Sequence, residues 1–278
     1  MKYVRNKIIK PLYYVLMGFF FVMRRKVNYY KNILIKNKNK NAYTFAILCI
    51  KKIAYADMVI VNINSLHALN NNHTFCVYSD SICYEYLKKK LKKFDYPEKI
   101  KVIDSFGKAE KPWQYYKIEV HIEASRNEQI DTDADGIWHA DPIIDRTRIT
   151  MMANGQRFCD DTDETSVLQN IFPNYPEWVN YKHCVAAFLS MPKQFMNPAI
   201  EQRMREVNDA ILTNPLDFIN DDSRKHELKR LSEEFAVNIA IQSTYSADIL
   251  VVLKKSGGWG DREILQPLYY GLENKINE

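Results

Sequence analysis

The segment 131-DTDADGIWHADP-142 places four aspartates within twelve residues, with Asp131, Asp133 and Asp135 at every second position and Gly136 directly after them. Carboxylates this dense repel one another unless a cation offsets their charge, and hard divalent cations favour oxygen ligands. Several chemistries use strings of this kind. A calcium loop of EF-hand type matches at its first six positions, but its twelfth must supply a bidentate glutamate. That position is Pro142, and the residues before the loop read as a strand where a helix is required. A phosphatase-like nucleophile string, D-x-D-x-T, also fits Asp131 and Asp133, but Asp135 stands where a hydroxyl belongs. That string opens its domain, whereas three strands precede it here. A plain acidic surface loop is the bland alternative.

The elements around the aspartates narrow the choice. From Ala42 onward, 43-YTFAILCI-50 is an apolar run of strand length, 55–71 has helical spacing, and 74-TFCVYS-79 is a second strand. The segment 82–94 reads as a helix with a solvated lysine face, and 100-IKVID-104 as a third strand. Residues 111–125 form a helix with Pro112 in its first turn, and 128-EQID-131 is a short fourth strand running into the aspartates. Such alternation predicts βαβ units and a parallel sheet, whose ligands bind beyond the carboxyl ends of the strands. The aspartates stand at such an end.

Taken together, residues 42–142 resemble the nucleotide-binding half of a GT-A fold glycosyltransferase. A second strand ending 78-YSDS-81 and a fourth ending 130-IDTDADGIWHADP-142 are similar to that family's order and to its D-x-D signature. The resemblance implies an α/β, Rossmann-like, mostly parallel sheet flanked by helices, with the D-x-D at Asp133 and Asp135 and with Asp141-Pro142 closing the loop. It also implies Mn²⁺ or Mg²⁺ as cofactor, with Asp135 on the metal and Asp133 on metal or ribose. The donor is then a nucleoside diphosphate sugar, uridine-based, and the cation offsets the charge of its leaving group. On the donor side, Lys51 follows the first strand, Asp80 ends the second and Lys117 precedes the D-x-D strand. Asp80 also reads as a helix N-cap and Lys51 as a surface charge. His139 is a further candidate for the donor pocket. A sugar nucleotidyltransferase is the related alternative, but 48-LCIKKIAYAD-57 lacks the glycines of a phosphate loop.

Residues 143–278 then form the acceptor half. The acidic run 158-FCDDTDET-165 reads as a helix-capping loop, 183-HCVAAFLSMP-192 as a buried strand, 198–212 as a helix and 223–242 as one further helix. Ala186 and Ala187 stand where the family's strand carries N-x-G, a departure on the acceptor side. By resemblance, 232-SEEFAVNIA-240 carries the acceptor-side carboxylates: Glu233 or Glu234 near the attacking hydroxyl, Asn238 one turn away. A carboxylate there serves as general base in an inverting transfer. The rival is 256-SGGWGDREILQ-266, a glycine loop running into a helix that Pro267 ends, with Asp261 or Glu263 at the helix start.

Bulk composition fits this scheme. The 278 residues are 46% apolar, a globular level, with a formal charge of +5. Residues 1–40 hold eleven Lys/Arg and no acid, so the remainder carries 28 basic against 34 acidic residues, a net of −6. A mildly acidic body argues against nucleic acid as partner. Five scattered cysteines without a CxxC read as reduced, mostly buried thiols. In the arm, residues 1–41, the apolar run 12–23 spans roughly 18 Å as a helix, short of a bilayer core. Basic residues on both flanks suit a segment, 8–26, lying in an anionic membrane face; packing on the folded body is the alternative. The expected location is therefore membrane-associated at the cytoplasmic face, or Golgi-type anchoring in a eukaryote. Glycan or glycolipid acceptors made at membranes, as in polysaccharide biosynthesis, fit that placement. A non-catalytic calcium- or membrane-binding module is the alternative of a different class.

Overall fold

The computed structural model describes residues 41–138, 141–142, 144–173, 175–253 and 265–267. The N-terminal arm through residue 40, expected at a membrane, and His139, Asp261 and Glu263 lie outside the described residues. Strand β1 (Thr44–Cys49) is central, because its TFAILC side chains are buried on both faces. It pairs in parallel with β2 (Thr74–Ser79) on one side and with β4 (Ile130–Thr132) on the other; β3 (Ile100–Asp104) lies parallel beyond β2. Helices α1 (Ile53–Leu69), α2 (Ser81–Leu91) and α3 (Trp113–Arg126) connect these strands. The expected alternation is therefore present. Because β2 and β3 step to one side of β1 and β4 to the other, the chain changes direction between β1 and β4. The carboxyl ends of those two strands flank the crevice where open α/β sheets bind ligands.

Beyond β4 the sheet continues with β7 (Lys182–Ser190), β6 (Ile149–Arg157) and β8 (Leu250–Leu253), in the order β3-β2-β1-β4-β7-β6-β8. Strand β7 runs antiparallel to both neighbours, while β6 and β8 run with the main set. The sheet is mostly parallel, as expected, with one reversed strand. A separate pair joins β5 (Gly136–Trp138) to β9 (Leu265–Pro267), antiparallel. This corrects the end of the helix expected to follow the glycine loop and stop at Pro267: Leu265 and Gln266 are extended, while residues 254–264 lie outside the described residues. Pro267 lies opposite Gly136 on a strand edge, where a missing N–H is tolerated.

Helices α4 (Thr162–Ile171), α5 (Tyr175–Trp178), α6 (Pro198–Thr213), α7 (Asp222–Arg230) and α8 (Ser232–Gln242) complete the described residues. The acidic run 158–165 caps α4, since Asp161 accepts the backbone N–H groups of Asp163 and Glu164. The expected single helix over 223–242 is two, broken at Leu231 (φ −82°, ψ 0°). The sequences differ in kind: α7 buries only Leu228, whereas α8 is buried from Ser232 to Ile241. A helix apolar all round belongs in the core and a polar one on its surface, so the axis must turn between them.

Among the described residues three apolar clusters result. One joins β1, β2 and β4 to α1 and α2; a second packs α3, α4, α6, α7 and α8 with β6 and β7; a small third sets Ala46, Cys76 and Tyr78 against Val120 and Ala124 of α3. All five cysteines are free and four are buried, Cys159 being exposed. Among the described residues no helix is long and apolar enough to cross a membrane.

Candidate active site

Alternation along β4 and its continuation sends Asp131 and Asp133 to one face, about 6.6 Å apart along an ideal strand. On α3, Lys117 and His121 are four residues apart and so share one face at a rise of about 6 Å. The two spacings match, and the side chains meet. Lys117 Nζ lies 3.0 Å from Asp131 Oδ2 and 2.9 Å from Asp133 Oδ1, while His121 Nδ1 lies 2.5 Å from Asp131 Oδ2. Asp131 and Lys117 are buried; Asp133 is 39% exposed. Burial opposes the charge of Lys117, but Asp131 and Asp133 outweigh it and hold its ammonium raised. Burial likewise pushes Asp131 up, and Lys117 with His121 brings it below its usual range. Asp131 is thus an internal counter-ion, and Asp133 stays partly exposed just past the carboxyl end of β4. Its main chain is fixed on both sides: its N–H donates to the Ala187 carbonyl at 3.1 Å, and its carbonyl accepts Asn62 Nδ2 at 2.6 Å.

Asp135 sits in the turn before β5, partly buried. Burial and the Asp133 charge raise its carboxyl to about 6, partly offset by its own backbone, Lys117 and Arg230. Across from this turn, the first helical turn of α8 presents Glu233, which is buried with Oε2 unpartnered. Its carboxyl is raised well above the usual range by burial, then by the charges of Glu234 and Asp133, with Lys117 opposing. Asp133 therefore acts on both Asp135 and Glu233, beside the buried Lys117 ammonium.

Glu234 points elsewhere. His183 Nε2 donates to Glu234 Oε2 at 2.9 Å, and Nδ1 to Glu164 Oε2 at 3.0 Å. Burial would lower the imidazole, but the bonds to Glu164 and Glu234 raise it to about 10, so it is charged at neutral pH. Asn238, one turn on, bonds both the N–H and the carbonyl of Cys184 on β7. Adjacent helical residues lie about 100° apart, so anchoring Glu234 on β7 turns Glu233 toward Asp133.

Of the donor-side candidates, Asp80 uses both carboxylate oxygens on main chain: Oδ1 accepts Cys83 N–H at 2.9 Å as the α2 N-cap, and Oδ2 accepts Lys51 N–H at 2.6 Å. The second bond holds Lys51 at φ +71°, a left-handed conformation that strains a side-chain-bearing residue. Lys51 Nζ is exposed and donates to the Lys111 carbonyl. Asp141 is tied to His73 Nε2 at 2.8 Å and Asn70 Nδ2 at 3.2 Å, which anchors the end of the loop. Sequence reasoning missed His121, Glu164, His183 and Arg230. Only the Lys117/His121 pair left a signal, a four-residue helical spacing beside a two-residue strand spacing.

Among the described residues no three His, Cys, Asp or Glu side chains converge as a ready-made metal site. Asp133 and Asp135 nevertheless fit a Mg²⁺-type ion, which takes one or two carboxylates plus substrate phosphates. A carboxyl destabilised by its neighbour's charge is the donor set such an ion would relieve. A cavity of about 670 Å³ opens elsewhere, between α3 and β2–β3, floored by Cys76 and Tyr78, and contains none of these carboxylates.

No protein-family model matches this chain, and no curated protein matches it. Several solved structures do. A galactosyltransferase, LgtC, solved with donor and acceptor sugar analogues, is 12% identical, with TM-score 0.48 over 77% of this chain and 73% of that one. The glycosyltransferase GlyE of Streptococcus pneumoniae TIGR4 is 11% identical, with TM-score 0.45 over 77% of this chain and 45% of that one. The mannosyltransferase Ktr4p of S. cerevisiae is 9% identical, with TM-score 0.44 over 81% and 70%.

Proposed function

We propose that this chain is a glycosyltransferase that moves a sugar from a nucleoside diphosphate donor, uridine-based, to a hydroxyl of a glycan or glycolipid. One observation carries the reading: Asp133 and Asp135 follow the carboxyl end of β4, beside that of β1, where open α/β sheets bind ligands, with Glu233 buried within electrostatic reach of Asp133. Mn²⁺ or Mg²⁺ held by Asp133 and Asp135 would supply the positive charge that stabilises a departing diphosphate.

The chain's own residues do the rest. Asp131, itself braced by His121, holds Lys117, and Lys117 orients Asp133 without needing to touch substrate. In an inverting transfer, Glu233 accepts the proton of the acceptor hydroxyl as that oxygen bonds to the anomeric carbon. The bond to the diphosphate oxygen breaks, and its electron pair leaves with the diphosphate. Burial beside Asp133 makes Glu233 a stronger base than a solvated glutamate. The arm, residues 8–26, serves in this reading to hold the enzyme at a membrane where its acceptor resides.

The calcium-loop alternative loses its frame, because a strand precedes the aspartates and Pro142 offers no side-chain ligand. Calorimetry with Mn²⁺ and with Ca²⁺, each with and without UDP, tests the reading. Expected is UDP binding at least about tenfold tighter with Mn²⁺ and lost in Asp135→Ala. Calcium uptake indifferent to nucleotide would overturn it. A screen of sugar nucleotides for metal-dependent UDP or GDP release then identifies the donor.

A further inference from the structure

Among the described residues the exposed large apolar side chains are Ile53 and Ile82, 46% and 60% exposed. They open α1 and α2, and those two helix starts are tied together. Cys83 Sγ donates to the Lys52 carbonyl at 3.7 Å, and Tyr86 Oη donates to Asp57 Oδ1 at 2.8 Å. The isoleucines therefore project from neighbouring points, beside the exposed Lys51 and Lys52.

Helix α2 extends this patch. It buries Cys83, Leu87 and Leu91, and the opposite stripe carries Ile82 and Lys89, seven residues apart, with Lys92 and Lys93 following in the turn that ends the helix. Lys88 and Lys90 flank the stripe, and all five lysines are exposed. Lys88 and Lys90 lie over the rings of Tyr84 and Tyr86, at 4.8 and 5.0 Å. No ion pair among the described residues involves Lys89, Lys92 or Lys93. The acid on this outer stripe is Glu85, and Asp57 of α1 is occupied by Tyr86. The folded body beyond the arm is net acidic, so this concentration of lysine is local.

A solvated lysine face needs no isoleucines at its end. Apolar side chains beside a dense row of ammonium groups match the boundary of an anionic bilayer, where apolar tips enter the acyl region and lysines meet phosphates. Single-stranded nucleic acid fits less well, since it demands open aromatic faces for stacking. The tyrosines of this helix are covered by their own lysines.

We propose that Ile53, Ile82 and the lysine stripe of α2 form a docking surface for membranes carrying anionic phospholipids. This surface belongs to the folded body, is separate from residues 8–26, and does not depend on the sugar-transfer reading. The test is flotation of the full-length chain with phosphatidylcholine vesicles, with and without phosphatidylserine. Wild type should partition onto the phosphatidylserine vesicles. Affinity should fall about tenfold or more in Lys89→Gln/Lys92→Gln/Lys93→Gln, and also about tenfold in Ile53→Ser/Ile82→Ser. Both sets are exposed, so circular dichroism should show melting temperatures within about 2 °C of wild type. Equal partition of wild type and both variants would assign all binding to the arm and overturn the proposal. So would failure of wild type to bind. A loss confined to the lysine variant, with single-stranded RNA competing, would mark a general polyanion surface and equally overturn it.

Discussion

Burial and the charge of Asp133 raise the Asp135 carboxyl to about 6 from a usual 3.8, so at neutral pH the fold holds an ionised group where its surroundings resist it. The linkage sign follows. A carboxyl raised on folding leaves stability untouched below about 3.8 and subtracts from it as pH climbs through about 6. Asp135→Asn should therefore stabilise the chain at pH 7 by roughly 1–3 kcal/mol, read as a higher melting temperature, while Mn²⁺-dependent UDP binding disappears. A fall in melting temperature would mean that Asp135 is structural. The two adjacent glutamates of α8 should separate just as cleanly. Glu233→Gln is expected to lower kcat about 10²-fold or more by removing the proton acceptor, with UDP affinity and stability kept, because burial disfavours the ionised carboxylate and a neutral amide loses no folding energy there. Glu234→Gln removes one partner of a buried charged histidine and should destabilise by roughly 3–5 kcal/mol in urea unfolding.

At the level of elements, strand β4 and helix α3 meet through Lys117, His121, Asp131 and Asp133, and the geometry depends on the helical and strand repeats coinciding. Lys117→Met leaves Asp131 buried with its main counter-charge gone. We expect a loss of roughly 3–5 kcal/mol by denaturant unfolding, largely recovered by adding Asp131→Asn. Helix α8 is braced on β7 through His183 and on α4 through Glu164. Because His183 is raised to about 10 from 6.5, its contribution is complete below about 6.5 and fades as pH rises through about 10. The melting-temperature gap between wild type and His183→Gln should accordingly be widest at and just below pH of about 6.5, shrink steadily as pH rises, and be smallest above about 10. A gap constant with pH would show that the charge of His183 contributes nothing.

For the whole molecule, the pairing of β4 with β7, with Ile130 opposite Ser190 and Thr132 opposite Phe188, makes residues 42–142 and 143–278 share one sheet. Calorimetry should therefore show one unfolding transition across both halves, and UDP with Mn²⁺ should raise it as a unit. Two separable transitions would contradict a shared sheet. Local sequence carried the first half of this fold. Apolar runs specified β1 and β2, since a strand buried on both faces has little other option, while β3 is a half-exposed edge strand marked by its β-branched residues; alternation with amphipathic helices implied parallel order. The aspartate string at a strand end was equally legible, as was Asp80 as an N-cap. The second half was not, because its long-range pairings leave little local trace. The reversed β7, the β5–β9 pair and the turn at Leu231 arise from which surfaces meet, and Ile130 pairs with Ser190 across 60 residues, Gly136 with Pro267 across 131. The same holds for the charges. The sequence alone presents Asp131, Asp133 and Asp135 as three equal carboxylates, and Glu233 and Glu234 as interchangeable. Packing separates them, because only burial against Lys117 or His183 decides which carboxylate is neutralised inside the protein and which is left partly exposed at the strand end.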